Sequence, residues 1–237
     1  MIEASAFKGT SSLKEGQLMN KVPMCCRDFR EDSVDERLNF AKGFLEEFVR
    51  DVAPPKGMDK CKVWTESVRR QFVRMCPEDC ELAQRGSSKE YLVDSSWMET
   101  GHGKRVLLAC ECEWASDRYS EHTLWGLVEE DFEKLLAIKA PFKVLIFSAA
   151  ADSPRKSPDL KVDFSIEYAR ECLKRSLENY WHHLAGETYI FIDFPATGIK
   201  DGNGEYRAFA WIAKEPGMAT VDFEDLGNGE LRRSQGL

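Results

Sequence analysis

Three acidic residues are spaced in a way that could do chemistry. Asp94 closes the run Glu90-Tyr91-Leu92-Val93-Asp94, and Glu111 and Glu113 flank Cys112 in Leu107-Leu108-Ala109-Cys110-Glu111-Cys112-Glu113-Trp114. Side chains alternate along a strand, so Glu111 and Glu113 project to one side. On that alternation Val106, Leu108, Cys110, Cys112 and Trp114 line the opposite, apolar face. Paired acids at the end of an apolar strand repel one another and resist desolvation. A hard divalent cation would compensate them, because Mg2+ takes oxygen ligands and keeps several waters. Carboxylates that hold such an ion can place water against a phosphorus atom, and a neighbouring carboxylate can take that water's proton.

The elements that must position these acids are a hairpin and the helix and strand after it. Residues 90–97 and 105–114 read as strands around Gly101-His102-Gly103, a turn signal. A helix is expected over 121–139, with Leu124, Val128, Phe132 and Leu135 as its apolar stripe, ended by Pro141. Phe142–Ser148 is a short apolar run expected as a strand buried on both faces. Strand, helix, strand makes a crossover, so 144–147 should lie parallel to 106–113.

Upstream, Ser33-Val34-Asp35-Glu36 has capping-box spacing. It opens a helix with Val34, Leu38, Ala41, Leu45, Phe48 and Val52 as its stripe, stopped by Pro54-Pro55. A second helix is expected over 62–75, and residues 82–88 are expected as a loop. Downstream, a helix from about Asp163, with a stripe running from Ile166 through Leu177 to Leu184, is closed by Gly186. Strands are expected at 188–194 and 206–213, and the polar tail from Gly227 is expected to fray.

The chain has 237 residues, 43% of them hydrophobic and 31% charged, with a formal net charge of -8. That is a folded chain with a substantial core, expected as a single domain over 1–237 with residues 1–23 loosely ordered. The acidic balance excludes general coating by nucleic acid but not a local basic groove. Eight cysteines, two of them alternating inside an apolar strand, read as core residues in a reducing compartment rather than a disulfide framework. No run is long enough to cross a bilayer, so no membrane association and a cytoplasmic location are expected. There is no Gly-rich phosphate loop, nucleophile elbow or His-Glu-X-X-His motif.

The order of helix, antiparallel hairpin bearing one acid and then two, helix and parallel strand resembles the core of the PD-(D/E)XK nuclease superfamily. The resemblance covers about 62–147, with 163–213 extending it. It implies an α/β fold with a restriction endonuclease-like core: a mixed central sheet flanked by helices on both faces. Asp94 matches the acid of the middle strand and Glu111 the first acid of the next. Glu113 stands where the family most often has lysine, a departure that puts activity in question. Glu-X-Glu relatives can carry a lysine on the following helix, and Lys134 matches that position. The resemblance implies a Mg2+-dependent deoxyribonuclease, with Mn2+ as a substitute. Asp94, Glu111, Glu113 and Lys134 would be catalytic, and Asp94, Glu111, Glu113 and the Cys112 backbone carbonyl would be metal ligands. DNA is the implied partner, and double-strand cutting would need a homodimer or successive nicks. The alternative is a catalytically inactive nuclease fold serving as a binding module.

Weaker candidates stand beside bland readings. Glu66 could be the extra acid some relatives carry, but it lies off its helix's apolar stripe. Arg69, Arg70, Lys104 and Arg105 are candidate phosphate contacts that read equally well as surface charge. His182 and His183, adjacent on an expected helix, point to different faces, which argues against a shared metal. His102 and His122 read as an exposed turn residue and a structural helix-start residue. Trp97 and Trp114 read as packing groups rather than base-stacking platforms. Cys76 and Cys80 lack a second ligand pair for zinc. Glu-X-Glu alone reads most simply as a solvated strand end paired with Arg118.

Overall fold

The computed structural model describes residues 31–52, 61–86, 93–100, 105–114, 121–148, 166–194, 205–216 and 220–230. The expectations placed on Lys104, His102, Arg118, Pro54, Pro55, Cys25 and Cys26, and on residues 1–23, lie outside the described residues.

In chain order the elements are α1 (Val34–Asp51), α2 (Cys61–Met75), β1 (Cys80–Gln84), β2 (Ser95–Glu99), β3 (Val106–Glu113), α3 (Glu121–Ala137), β4 (Phe142–Phe147), α4 (Ile166–Asn179), β5 (Thr188–Asp193), β6 (Glu205–Ile212) and β7 (Glu224–Glu230). The fold is α/β. Its seven strands form one mixed sheet in sequence order, with β3, β4 and β5 mutually parallel and the remaining pairs antiparallel.

Helices cover both faces. Phe40, Phe44 and Phe48 of α1 and Trp64, Val68 and Phe72 of α2 pack with Leu108, Cys110, Val144 and Ile190 on one side. Val128, Phe132 and Leu135 of α3 and Ala169, Leu173 and Leu177 of α4 pack with Ala109, Leu145, Phe191 and Phe209 on the other. The shared face of α3 and α4 follows from chirality, because right-handed crossovers that step the same way along a sheet put their helices on one side. β4 and β5 are buried at every position, as expected of parallel strands covered twice.

The capping box at the start of α1 is formed: the Ser33 side chain accepts from the Glu36 N–H, and Glu36 accepts from the Ser33 N–H. The buried face of α1 includes Arg37, Phe40 and Phe44 beyond the stripe read from sequence.

The structure corrects several expectations. Residues 80–84, read in part as loop, form β1, paired with β2. Asp94, expected inside a strand over 90–97, immediately precedes β2, and residues 90–92 lie outside the described residues. The β2–β3 register shifts between Trp97 and Met98, which pair with Leu108 and Val106 and leave Leu107 as the extra residue. Leu107 and Leu108 therefore share the α1/α2 core while Val106 packs toward α3. Strict alternation, which put Val106 on the Cys112 face, fails at that irregularity.

Helix α4 ends at Asn179, so His182 and His183 lie beyond it, His182 in a turn and His183 buried, and Leu184 is exposed. Gly186, with φ of +84°, lies beyond that turn, where a β-carbon would strike the Arg37 guanidinium. The described part of the tail expected to fray, residues 227–230, belongs to β7, where Gly227 opposes Ala208.

Candidate active site

The hairpin register sets the geometry of the acids. Ser95 pairs with Cys110, so Asp94, one step back, faces Glu111, one step on. The Asp94 N–H donates to Glu111 Oε2 at 3.3 Å. The Asp94 carboxylate turns to the edge of β3 and accepts from the Cys112 N–H and the Cys112 thiol, both at 3.1 Å to Oδ2. A strand residue sends its N–H and C=O to the same edge, so the Cys112 carbonyl heads toward Asp94 as well. Asp94 and Glu111 are buried, while Glu113 is half-buried.

Helix α3 supplies the remaining groups. Val128, Phe132 and Leu135 seat it on the sheet. That seating turns Lys134 toward β3, with Nζ 3.6 Å from Glu111 Oε1 and 2.5 Å from Asp131 Oδ1. From the opposite side α2 sends Arg69, whose guanidinium lies 3.4 Å from Asp94 Oδ1. Further along the row that Glu113 begins, Phe147 and Asp193 follow in register across β4 and β5. The cluster thus sits at the C-terminal ends of the parallel strands, where ligands bind in open α/β sheets.

The electrostatics are unbalanced. Four carboxylates (Asp94, Glu111, Glu113 and Asp131) share two cations, Arg69 and Lys134. Burial first, then the charges of Asp94 and Asp131, pushes Glu111 up to about 9, against the pull of Lys134. Burial and Asp131 push Glu113 up to about 7, against a hydrogen bond from the Trp114 N–H. Asp131 is raised by burial although Lys134 opposes it. Burial works against the Lys134 charge, but Asp131 and Glu111 outweigh it and hold the ammonium above its ordinary range. Glu111 Oε1 and Arg69 Nε are buried without a hydrogen bond. A buried oxygen with no hydrogen bond, in a cluster short of positive charge, marks a group that gains from a cation or a proton.

Asp94, Glu111, Glu113 and Lys134 therefore come together. Among the described residues, however, no three His, Cys, Asp or Glu side chains are gathered as ligands for one ion. Glu66 is exposed on α2 and takes no part in the contacts around Glu111. Arg69 is engaged by Asp94, Arg70 is exposed, and Arg105 pairs with Glu99 at 3.3 Å. Trp97 and Trp114 are buried, donating to the Phe72 carbonyl and the Thr65 hydroxyl.

Asp131 was missed by the sequence reading. Its signal was its place three residues before Lys134, which puts both on one helix face. Such pairs are abundant on solvated helices, so only the packing of α3 gives this one meaning.

No known protein family, curated protein or solved structure matches the chain. Among the described residues no helix is long and apolar enough to cross a membrane.

Proposed function

We propose that this chain is a divalent-metal-dependent nuclease of PD-(D/E)XK type that hydrolyses DNA phosphodiester bonds. The observation that carries the reading is the meeting of Asp94 and Glu111, from separate strands, in a cluster with surplus negative charge and an unbonded buried oxygen on Glu111. Further support is the order of α2, the antiparallel pair β2–β3, α3 and the parallel strand β4.

The donor set fits Mg2+ or Mn2+, since every candidate is a hard oxygen. Asp94, Glu111 and the Cys112 carbonyl would hold the ion. When bound, the ion would supply Lewis-acid stabilisation of phosphoryl charge and a more acidic water. The chain's own groups would do the rest. Glu113, poised near neutrality, would take the proton of the attacking water. Lys134, its side chain 39% exposed, would set its ammonium against the nonbridging oxygens. Arg69 would hold Asp94 in place from α2.

The test is cleavage of supercoiled, linear and single-stranded DNA by purified protein with Mg2+ or Mn2+. Asp94→Asn and Glu111→Gln should each cut at least about 100-fold more slowly, in line with loss of electrostatic stabilisation at a reacting centre. Cleavage that survives both substitutions would overturn the reading.

A second reading, an inactive nuclease fold acting as a binding module, is favoured by two observations. Glu113 stands at the usual lysine position, and no ready three-ligand set exists among the described residues. Calorimetric titration with Mn2+ separates the two readings, since the module predicts no binding that depends on Asp94 and Glu111.

A further inference from the structure

We propose that Asp131 is a positioning residue: it holds the Lys134 ammonium off Glu111 and so keeps the Glu111 Oε1 open to a cation. This rests on the metal-site reading and adds a residue to it.

Asp131 and Lys134 leave α3 on the same face, and the buried side chains of Val128, Phe132 and Leu135 fix which way that face points. Lys134 has two carboxylates to choose between and is drawn to one of them. Its Nζ is 2.5 Å from Asp131 Oδ1 and 3.6 Å from Glu111 Oε1, the second distance beyond hydrogen-bond range. Glu111 Oε1 is left buried with no hydrogen bond. The Asp131 side chain is only 14% exposed, so the pair is partly shielded from the solvent that weakens surface ion pairs.

A lysine stem is long and flexible, and its ammonium can rotate three donors toward any acceptor in reach. Without Asp131, attraction would draw Nζ onto Glu111 Oε1. An ammonium there would neutralise the carboxylate and occupy the approach of a divalent ion. Asp131 prevents this by offering the nearer partner, which also keeps Lys134 at the rim of the cluster.

The alternative is that Asp131 acts only through its charge. Removing a carboxylate near the site would then weaken cation binding whether or not Lys134 is present. The experiment is a double-mutant cycle with Mn2+ as the probe, read by calorimetric titration of the full chain and by the KM-against-kcat split in DNA cleavage. The proteins are wild type, Asp131→Asn, Lys134→Gln, the double variant and Asp94→Asn, each checked for folding by thermal denaturation.

Asp131→Asn should weaken Mn2+ binding about tenfold, the lower end of what losing an outer partner of a metal ligand costs. Lys134→Gln should bind Mn2+ at least as tightly as wild type, and the double variant should match Lys134→Gln. An equal loss from Asp131→Asn with and without Lys134, or no loss at all, would overturn the inference and leave the metal site standing. Absence of Asp94-dependent Mn2+ binding in the wild type would overturn the site itself, and this inference with it. Should Asp131→Asn not fold, Asp131→Ser enters the same cycle with the same expectations.

Discussion

At the start of β4 and β5, Lys143 meets Glu187 at 3.1 Å and the Tyr189 hydroxyl at 2.8 Å, and all three side chains are buried. His183 closes that group, with Nδ1 3.2 Å from the Tyr189 hydroxyl and Nε2 2.9 Å from the Leu177 carbonyl. At the end of β3, on the same face of the sheet, Glu111 meets Asp94 and two more carboxylates, with Lys134 at arm's length. Both clusters are ionic and largely buried, and each holds one carboxylate oxygen without a hydrogen bond, but only in the first do the charges balance. Burial alone would raise Glu187, yet the His183 hydrogen bond and the Lys143 charge hold it below its ordinary value. Burial brings Lys143 down to about 8 against the pull of Glu187. Glu111, by contrast, is driven up to about 9 by burial and by its acidic neighbours. Charge that is complemented within the chain fixes structure; charge left over is poised for something from outside it.

Removing one charge from each cluster should have opposite consequences. Lys143→Met leaves Glu187 buried without its ammonium, and urea unfolding should register a loss of about 3–5 kcal/mol, the usual cost of breaking a buried pair. A loss below about 1 kcal/mol would mean that the hydrogen bonds from His183 and Tyr189 suffice, and the contrast between the clusters would shrink.

Mn2+ tests the contrast from the other side, since it can answer only the unmatched cluster. Saturating the proposed site at 100 times its dissociation constant should stabilise the wild type by about 2.7 kcal/mol. The gain should vanish in Asp94→Asn and persist in Lys143→Met. A gain indifferent to Asp94 would place the ion elsewhere.

The smallest effect concerns pH. A carboxyl whose folded pKa lies above its unfolded value binds more protons when folded, so stability falls as pH rises between the two. For Glu111 that window runs from the ordinary carboxyl value of 4.5 to about 9. With chelator present, the melting temperature should fall from pH 5 to pH 9. Glu111→Gln should flatten that slope and stabilise the protein at pH 8 by at least about 1.4 kcal/mol, the equivalent of one pKa unit. A variant less stable than wild type at pH 8 would mean that Glu111 is satisfied as an anion.

Much of this could be read without coordinates, for local reasons. Ser33 and Glu36 announce a helix start because capping is a three-residue affair. The continuous apolar run at 142–147 announces a buried parallel strand because both faces of such strands meet helices, and the run at 188–193 announces a strand. The hairpin between Ser95 and Cys110 follows from two strand-like runs with a glycine turn between them. That Asp94 and Glu111 share this hairpin was legible, but which residue faces which was not, because the register shift at Leu107 lies between the acids and the turn.

What escaped depends on partners distant in sequence. β1 has a weak pattern because it lies at the sheet edge, where only one of its residues, Ala83, is fully buried. β7 is polar and glycine-containing, and only its pairing with β6 makes it a strand. The irregularity at Leu107 reassigns the face of Val106, and no alternation rule announces where it falls. Arg69 reaches Asp94 from α2, Asp131 and Lys134 reach β3 from α3, and Lys143 finds Glu187 across two strands.

By itself the sequence determined the helices, the central strands and which acids share the central hairpin, because capping, periodicity and turn chemistry act over a few residues. Only the tertiary structure decided which charges are matched and which are left over. That balance depends on how closely helices seat against the sheet, and Coulomb energies in a partly buried site change with each ångström of that approach.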